Sequence, residues 1–302
     1  MFFYRDYVKR DRRIATKPVL VVPVRHGGEL FHRCIASICK CGPVFQRVLV
    51  SVNGLSPEGD SEAASAIGRA GIAYEILCTN RDFSPAQHFY WLAQRLRMRF
   101  EPYQKILFLA HDDELIANAL STWAANLVYP DQGTTWIGDY EICEKNHVWQ
   151  ESAFSNVEPQ ATITPDQWLR DIAATERGYV FTNISGMCVP LKIFSDLTRF
   201  WRFTKGHKAV RCEYMLLTHR QVSGIRKSID PIVRIHIHNT QEGRNVACED
   251  YESDEIRYRV WLLINSSSLR SFIYRLSEPA TLRSLWRHYR AYKRCRLAKD
   301  GT

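Results

Sequence analysis

Four short segments rich in Val, Ile, Leu and Phe punctuate the first half of the chain: Val19–Val24, Arg47–Val52, Tyr74–Cys78 and Lys105–Ala110, their ends about 26 to 32 residues apart. Their hydrophobicity is continuous rather than alternating, the pattern of parallel strands covered on both faces by crossover helices. Leu30, Phe31, Cys34, Ile35 and Ile38 recur at helical spacing after the first segment, and Phe89, Leu92, Ala93 and Leu96 do so after the third, each set giving one core-facing stripe. Ser84, Pro85 and Gln87 supply a capping serine, a first-turn proline and a glutamine three residues after the cap, which predicts a helix start. The order predicts a right-handed, doubly wound α/β unit whose ligands collect beyond the carboxyl ends of its strands.

All four strand ends are polar: Arg25-His26-Gly27-Gly28, Asn53-Gly54, Asn80-Arg81-Asp82 and His111-Asp112-Asp113-Glu114. Adjacent carboxylates after the apolar run KILFLA repel each other unless a cation or a capping role offsets the repulsion. Oxygen-rich clusters suit Mg²⁺ or Mn²⁺, which commonly bridge carboxylates to a substrate diphosphate. Equally, Asp112 and Asp113 can cap the helix containing Leu120, Trp123, Ala124 and Leu127. The first strand is followed by no Gly-x-Gly-x-x-Gly and no Gly-Lys-Ser/Thr loop, which argues against dinucleotide and P-loop chemistry.

The 302 residues are 45% hydrophobic and 24% charged, a folded-protein balance that rules out disorder. The net charge of +9 resides entirely in residues 256–302, where 11 Lys and Arg stand against Glu278 and Asp300. Residues 1–18 carry a smaller basic excess. In the C-terminal segment, Leu282, Leu285, Trp286, Tyr289 and Tyr292 form one helical stripe, with Arg283, Arg287, Arg290 and Arg294 mostly off it. A basic amphipathic helix of this type lies on an anionic membrane surface or packs its stripe on the domain. The neutral remainder and the lack of RNA-binding aromatic signatures leave nucleic acid an unfavoured partner. No apolar run reaches the roughly 18 to 20 residues needed to cross a bilayer, and the first residues hold no apolar signal-peptide core, so the expectation is a cytoplasmic protein. Nine scattered cysteines fit reduced thiols better than a disulfide framework, and the Cys34, Cys39, Cys41 cluster lacks a second pair to complete a zinc site.

The strand ending in Pro23-Val24, the strand ending in Asn53-Gly54, the segment Asn80 to Ala93 and KILFLAHDDEL together resemble the nucleotide-sugar half of family 2 glycosyltransferases with the GT-A fold. Ser185-Gly186-Met187, Glu213-Tyr214 and Arg234-x-His236 are similar to its later landmarks. The resemblance implies an α/β, GT-A-like, doubly wound and mostly parallel sheet flanked by helices, with a C-terminal basic helical extension. It further implies inverting transfer from a nucleotide sugar, with Asp112 and Asp113 at the Mg²⁺ or Mn²⁺ and Pro23, Val24, Arg25, Asn53, Asp82, His111, Asp112 and Arg234 around the nucleotide sugar. Ala110 stands where many members carry the first aspartate of the motif, Arg25 and His26 where an aromatic and an asparagine are common, and Val52 where an aspartate often reads the base.

The same resemblance makes Glu213, in RCEYMLLTHR, the base that takes the acceptor proton. On residues alone Glu213 is a helix-start carboxylate beside Arg211. Asp139, after the apolar stretch Thr135 to Gly138, is the second choice. His236 and His238 alternate with Ile235 and Ile237, so both face one side of a short strand as further candidates for the metal, or as plain surface histidines. Arg234 can pair with phosphate. Asn239 to Asn245 reads as a lid. Thr164, Pro165 and Gln167 predict another helix start, with Trp168, Leu169 and Ile172 in the core.

The expected organisation is a basic segment 1–18, a nucleotide-sugar half 19–130, an acceptor half 131–255 and a helical extension 256–302. The expected acceptor is a lipid-linked or polysaccharide glycan, by analogy with bacterial surface-polysaccharide and lipopolysaccharide enzymes, with the protein peripheral on the inner face of the cytoplasmic membrane. Two alternatives remain: a sugar nucleotidyltransferase, and a non-catalytic membrane or nucleic-acid binding module.

Overall fold

A computed structural model describes residues 17–25, 28–54, 65–79, 81–126, 133–144, 147–151, 161–174, 183–201, 212–238, 247–277 and 282–300. The expected lid 239–245 and nearly all of the basic segment 1–18 lie outside these residues.

The four apolar segments are the strands β1 (Val19–Val24), β2 (Arg47–Val52), β3 (Tyr74–Cys78) and β4 (Lys105–Phe108). They pair in parallel in the order β3-β2-β1-β4. Val19, Leu20, Val21 and Val22 are fully buried, as the absence of alternation requires. Helix α1 (Glu29–Lys40) turns Phe31, Cys34, Ile35 and Ile38 inward and places Glu29 and Lys40 where the helix dipole favours their charges. Helix α2 (Pro85–Arg97) starts with the reciprocal Ser84–Gln87 capping box.

After β4 the chain forms the two-residue strand β5 (Glu114–Leu115) and helix α3 (Ala117–Asn126). Strands β6 (Thr134–Glu144), β7 (His147–Glu151), β8 (Met187–Pro190) and β9 (Gly224–Ile237) then extend the same sheet, with helices α4 (Pro165–Ala174), α5 (Leu191–Trp201) and α6 (Cys212–Leu217) between them. The order continues β4-β8-β6-β9-β5, with β7 on β6. β8 runs antiparallel between β4 and β6, so β4, β6 and β9 all point their carboxyl ends to one edge. One sheet therefore joins the two expected halves. Phe108 of β4 packs edge-on against Phe194 of α5 at 4.8 Å and against Phe89 of α2 at 6.1 Å, locking a helical layer onto the sheet.

Two glycines let β6, β8 and β9 close up. A Cβ on Gly138 would collide with Ile232, and Gly186 takes φ +81° while its N–H reaches Phe108 O at 2.9 Å. That turn sets Ser185 beside the end of β4.

Helices α7 (Cys248–Ile264), α8 (Leu269–Ser277) and α9 (Leu282–Asp300) complete the described chain. The boundary expected between 255 and 256 falls inside α7, which buries Asp254, Glu255, Tyr258, Arg259, Trp261 and Leu262. Cys248 and Cys295 are joined in a disulfide, Cα atoms 6.3 Å apart, which corrects the reduced-thiol expectation for this pair. Packing α9 along α7 brings two cysteines 47 residues apart in sequence to one seam. His288 reaches Glu252 at 2.5 Å on the same seam. Leu282, Trp286, Tyr289 and Leu297 are exposed, while His288 is buried and Leu285, Tyr292 and Cys295 are half-buried, so α9 faces the domain through His288 and Cys295 together with part of the expected stripe.

Candidate active site

The carboxyl-end rim of β1, β2 and β3 is built by local hydrogen bonding. Asn53 is buried, and its side chain pairs with the backbone of Phe83, Nδ2 donating to the carbonyl at 2.7 Å and Oδ1 accepting from the N–H at 2.9 Å. Gly54, at φ +104°, donates its N–H to Thr79 Oγ1 at 2.6 Å, and Thr79 donates on to Arg81 O. The loop after β3 is thereby pinned to the end of β2. Arg25 meets Asp82 across the rim at 2.9 Å, both exposed, while Val24 beneath is buried and Pro23 half-buried. Beneath this rim Ser51 bonds His88 at 2.8 Å, and burial pushes the His88 pKa down to about 4, so the ring is neutral at pH 7.

At the end of β4 the Asp112–Asp113–Glu114 turn feeds directly into β5, where Glu114 pairs with Arg234 in register. Asp113 is buried: its Oδ2 accepts from Ser185 Oγ at 2.5 Å and its Oδ1 from His236 N at 3.1 Å. Burial, with the charge of Asp112 beside it, pushes this carboxyl well above the usual carboxylate range. Each of its oxygens accepts one of these bonds, and they fix the turn to the segment before β8 and to β9.

Alternate residues at the end of β9 and just beyond it then each meet a carboxylate. Arg234 donates to Glu141 from Nε at 3.0 Å and Nη2 at 2.8 Å. His236 Nε2 lies 2.7 Å from Glu114, and His238 Nε2 lies 2.9 Å from Asp112. The Asp112–His238 pair is partly open to solvent, the carboxylate at 15% and the imidazole at 25%. His111 beside it is half-buried. Among the described residues, no three His, Cys, Asp or Glu side chains are arranged to hold a metal by themselves.

The chain as a whole is similar in backbone to solved structures. S. aureus TarS 1–349 in complex with UDP-GlcNAc superposes with a TM-score of 0.62 at 13% identity, over 93% of this chain and 79% of that one. The fold is GT-A. GalNAc-T7 solved with UDP, GalNAc and Mn²⁺ gives a TM-score of 0.54 at 10% identity over 94% of this chain, which spans 56% of that one. In a longer TarS structure this chain spans 43% of the length at a TM-score of 0.59 and 13% identity. No protein-family model matches the sequence, and no curated protein does. At these identities the likeness establishes the GT-A fold alone.

Within this GT-A sheet, Asp112, Asp113, Arg234, His236 and His238 converge on one cluster, and Arg25, Asn53 and Asp82 on the neighbouring rim. Glu213 stands half-exposed in the first turn of α6, whose Tyr214 packs on Trp168 at 5.1 Å. The buried Cys212 thiol next to it is pushed up by burial and by the Glu213 charge. Asp139 is buried within β6, 3.6 Å from Lys227 Nζ, and in register opposite Pro231. It stops four residues short of the level of His236, about 13 Å along the strand. Ser185, Glu114 and Glu141 were not singled out by the sequence as partners of the cluster. The pairing of β8 with β4 brings in Ser185, and the pairing of β9 with β5 and β6 brings in Glu114 and Glu141.

Proposed function

We propose that the chain is an inverting glycosyltransferase acting on a nucleotide-diphosphate sugar. One observation carries this reading: on a GT-A sheet, Asp112 and His238 face each other at the strand-end rim, partly open to solvent, and are held there by the inward-turned Asp113. A carboxylate oxygen and an imidazole nitrogen are fitting ligands for Mn²⁺, and the carboxylate for Mg²⁺. Two protein ligands match a hard ion that also takes diphosphate oxygens and water. Asp112 and His238 would hold that ion, which when bound supplies positive charge beside the departing diphosphate.

The chain's own residues do the remainder. Asn53 holds the 81–83 turn as a floor beside Pro23, Val24 and His111, and Arg25 and Asp82 present one charge of each sign at the rim for the nucleotide. Arg234, satisfied by Glu141, keeps β9 in register and sets the level of His236 and His238. Glu213 takes the proton of the acceptor hydroxyl as its oxygen bonds to the anomeric carbon and the carbon–oxygen bond to the nucleoside diphosphate breaks, with inversion. Glu213→Gln is expected to lower turnover of the accepted donor at least 10³-fold while nucleoside diphosphate affinity stays within twofold. Unchanged turnover sinks the assignment of Glu213.

The acceptor we propose is a lipid-linked glycan, presented at an anionic membrane surface on which α9 lies. Its exposed Trp286 and Tyr289 are stacked at 5.9 Å, with Arg290 over Trp286 at 4.9 Å and Lys293 over Tyr289 at 5.3 Å, so apolar area and positive charge share one exposed face. No described helix is long and apolar enough to cross a membrane. Co-sedimentation with phosphatidylglycerol vesicles, at least tenfold weaker in the Trp286→Ser/Tyr289→Ser double variant, is the expected result. Equal binding by both proteins rejects α9 as the contact.

A further inference from the structure

At the amino end of β9, about 30 Å from His236 by the register of β9 on β6 (Gly224 opposite Thr134, His236 opposite Cys143), a cavity of about 260 Å³ opens between α4, α8 and the 219–223 turn. At about 30 Å³ per water it has room for roughly nine waters, the size of one sugar ring or a small phosphate ester. Its chemistry is set by Asp166, His219, Arg220, Ser223, Ser267 and Arg275.

Arg275 is 2% exposed. Its Nη1 is held by the carbonyls of Thr218, Leu262 and Asn265 at 3.0 to 3.3 Å, and its Nε by Asp166 at 3.2 Å. Nη2 has no partner among the described residues. His219 is likewise 2% exposed, its ring against Trp261 at 5.7 Å. Its Nδ1 accepts the Gln221 N–H at 3.1 Å, which leaves the proton on Nε2 as a donor with no described partner. Burial pushes this histidine down to about 4, so the ring is a neutral donor at pH 7. Arg220 stands exposed at the lip. Around the ring, Lys192 adds a further positive charge and Asp196 a negative one, the latter already shared with Arg199 and Gln221. The cavity wall thus holds two guanidinium groups against one carboxylate, Asp166, and the Arg275 Nη2 and His219 Nε2 donors have no partner among the described residues.

Donors without protein partners on a cavity wall that carries two guanidinium groups favour an oxyanion over a neutral molecule. We propose that this cavity is a second binding site, separate from the Asp112–His238 cluster, for a compact ligand bearing a phosphate or carboxylate group. Calorimetric titration of the full chain with inorganic phosphate, glucose 1-phosphate, glucuronate and neutral glucose tests it and tells the two oxyanion sources apart. The expected result is saturable binding of at least one anion with a Kd below about 1 mM, and none of glucose. Arg220→Gln, at the exposed lip, weakens that binding at least tenfold, and His219→Phe, which keeps the ring against Trp261, weakens it as well. Asp112→Asn leaves it within twofold. Absence of anion binding, equal binding in Arg220→Gln, or loss in Asp112→Asn overturns the proposal. This result does not depend on glycosyl transfer.

Discussion

At the carboxyl ends of β1, β3 and β4, charged side chains stand at the rim of a sheet whose buried residues are mainly aliphatic and aromatic, whereas in the α7–α9 layer Glu255, Arg259, Arg275 and His288 sit inside the packing, each less than a tenth exposed. In the first region the fold is carried by buried aliphatic and aromatic area, so rim charges are available to a ligand. In the second the charges are themselves the packing. Arg259 bonds Glu255 one turn earlier on α7, and His288 brings α9 to Glu252 with Glu255 at 3.8 Å. Removing one partner there strips a buried charge of its nearest counter-charge, which costs more than a surface pair contributes.

The largest expected effect breaks that contrast directly. Arg259→Met alone should lower unfolding free energy by about 3 to 5 kcal/mol in urea titration, while Glu255→Met/Arg259→Met recovers most of the loss. Equal stability of the single variant and the native chain contradicts a structural role for the pair.

How much was legible in the sequence follows the same division. The strands β1 to β4, the capped helices at Ser84 and Thr164, and the shared face of His236 and His238 came from periodicity and capping, which are local. The inward turn of Asp113 was not legible, because Ser185 lies 72 residues away and only sheet pairing brings it there. The pairing of Arg234 with Glu141 was not legible either, because Glu141 lies 93 residues away. In α7, acidic and basic residues on the buried face hid the core stripe, so the boundary was set inside the helix. The aromatic stripe of α9 was seen, and its exposure was decided by His288 and Cys295 on the adjacent face.

A pH titration sharpens the comparison, because each region buries one neutral histidine. His88 under β2 and His219 beside Trp261 are both pushed from an ordinary 6.5 to about 4. Between these values the unfolded chain binds a proton that the folded chain does not, so stability present above pH 6.5 is lost as pH falls through about 4. Each should contribute about 3 kcal/mol to the fall. Urea midpoints between pH 7 and 4 should drop less steeply in His88→Asn and in His219→Asn than in the native chain. Parallel curves for all three proteins contradict the buried neutral rings.

The most direct measurement is calorimetric titration of UDP, GDP, CDP and dTDP with Mn²⁺ into the native chain, Asp112→Asn and Glu114→Gln. The account predicts that one nucleotide binds with metal, that Asp112→Asn weakens it at least tenfold, and that Glu114→Gln changes it less than Asp112→Asn does. Binding that is indifferent to metal and to Asp112, or no nucleotide binding at all, contradicts the assignment of this rim as a nucleotide-sugar site.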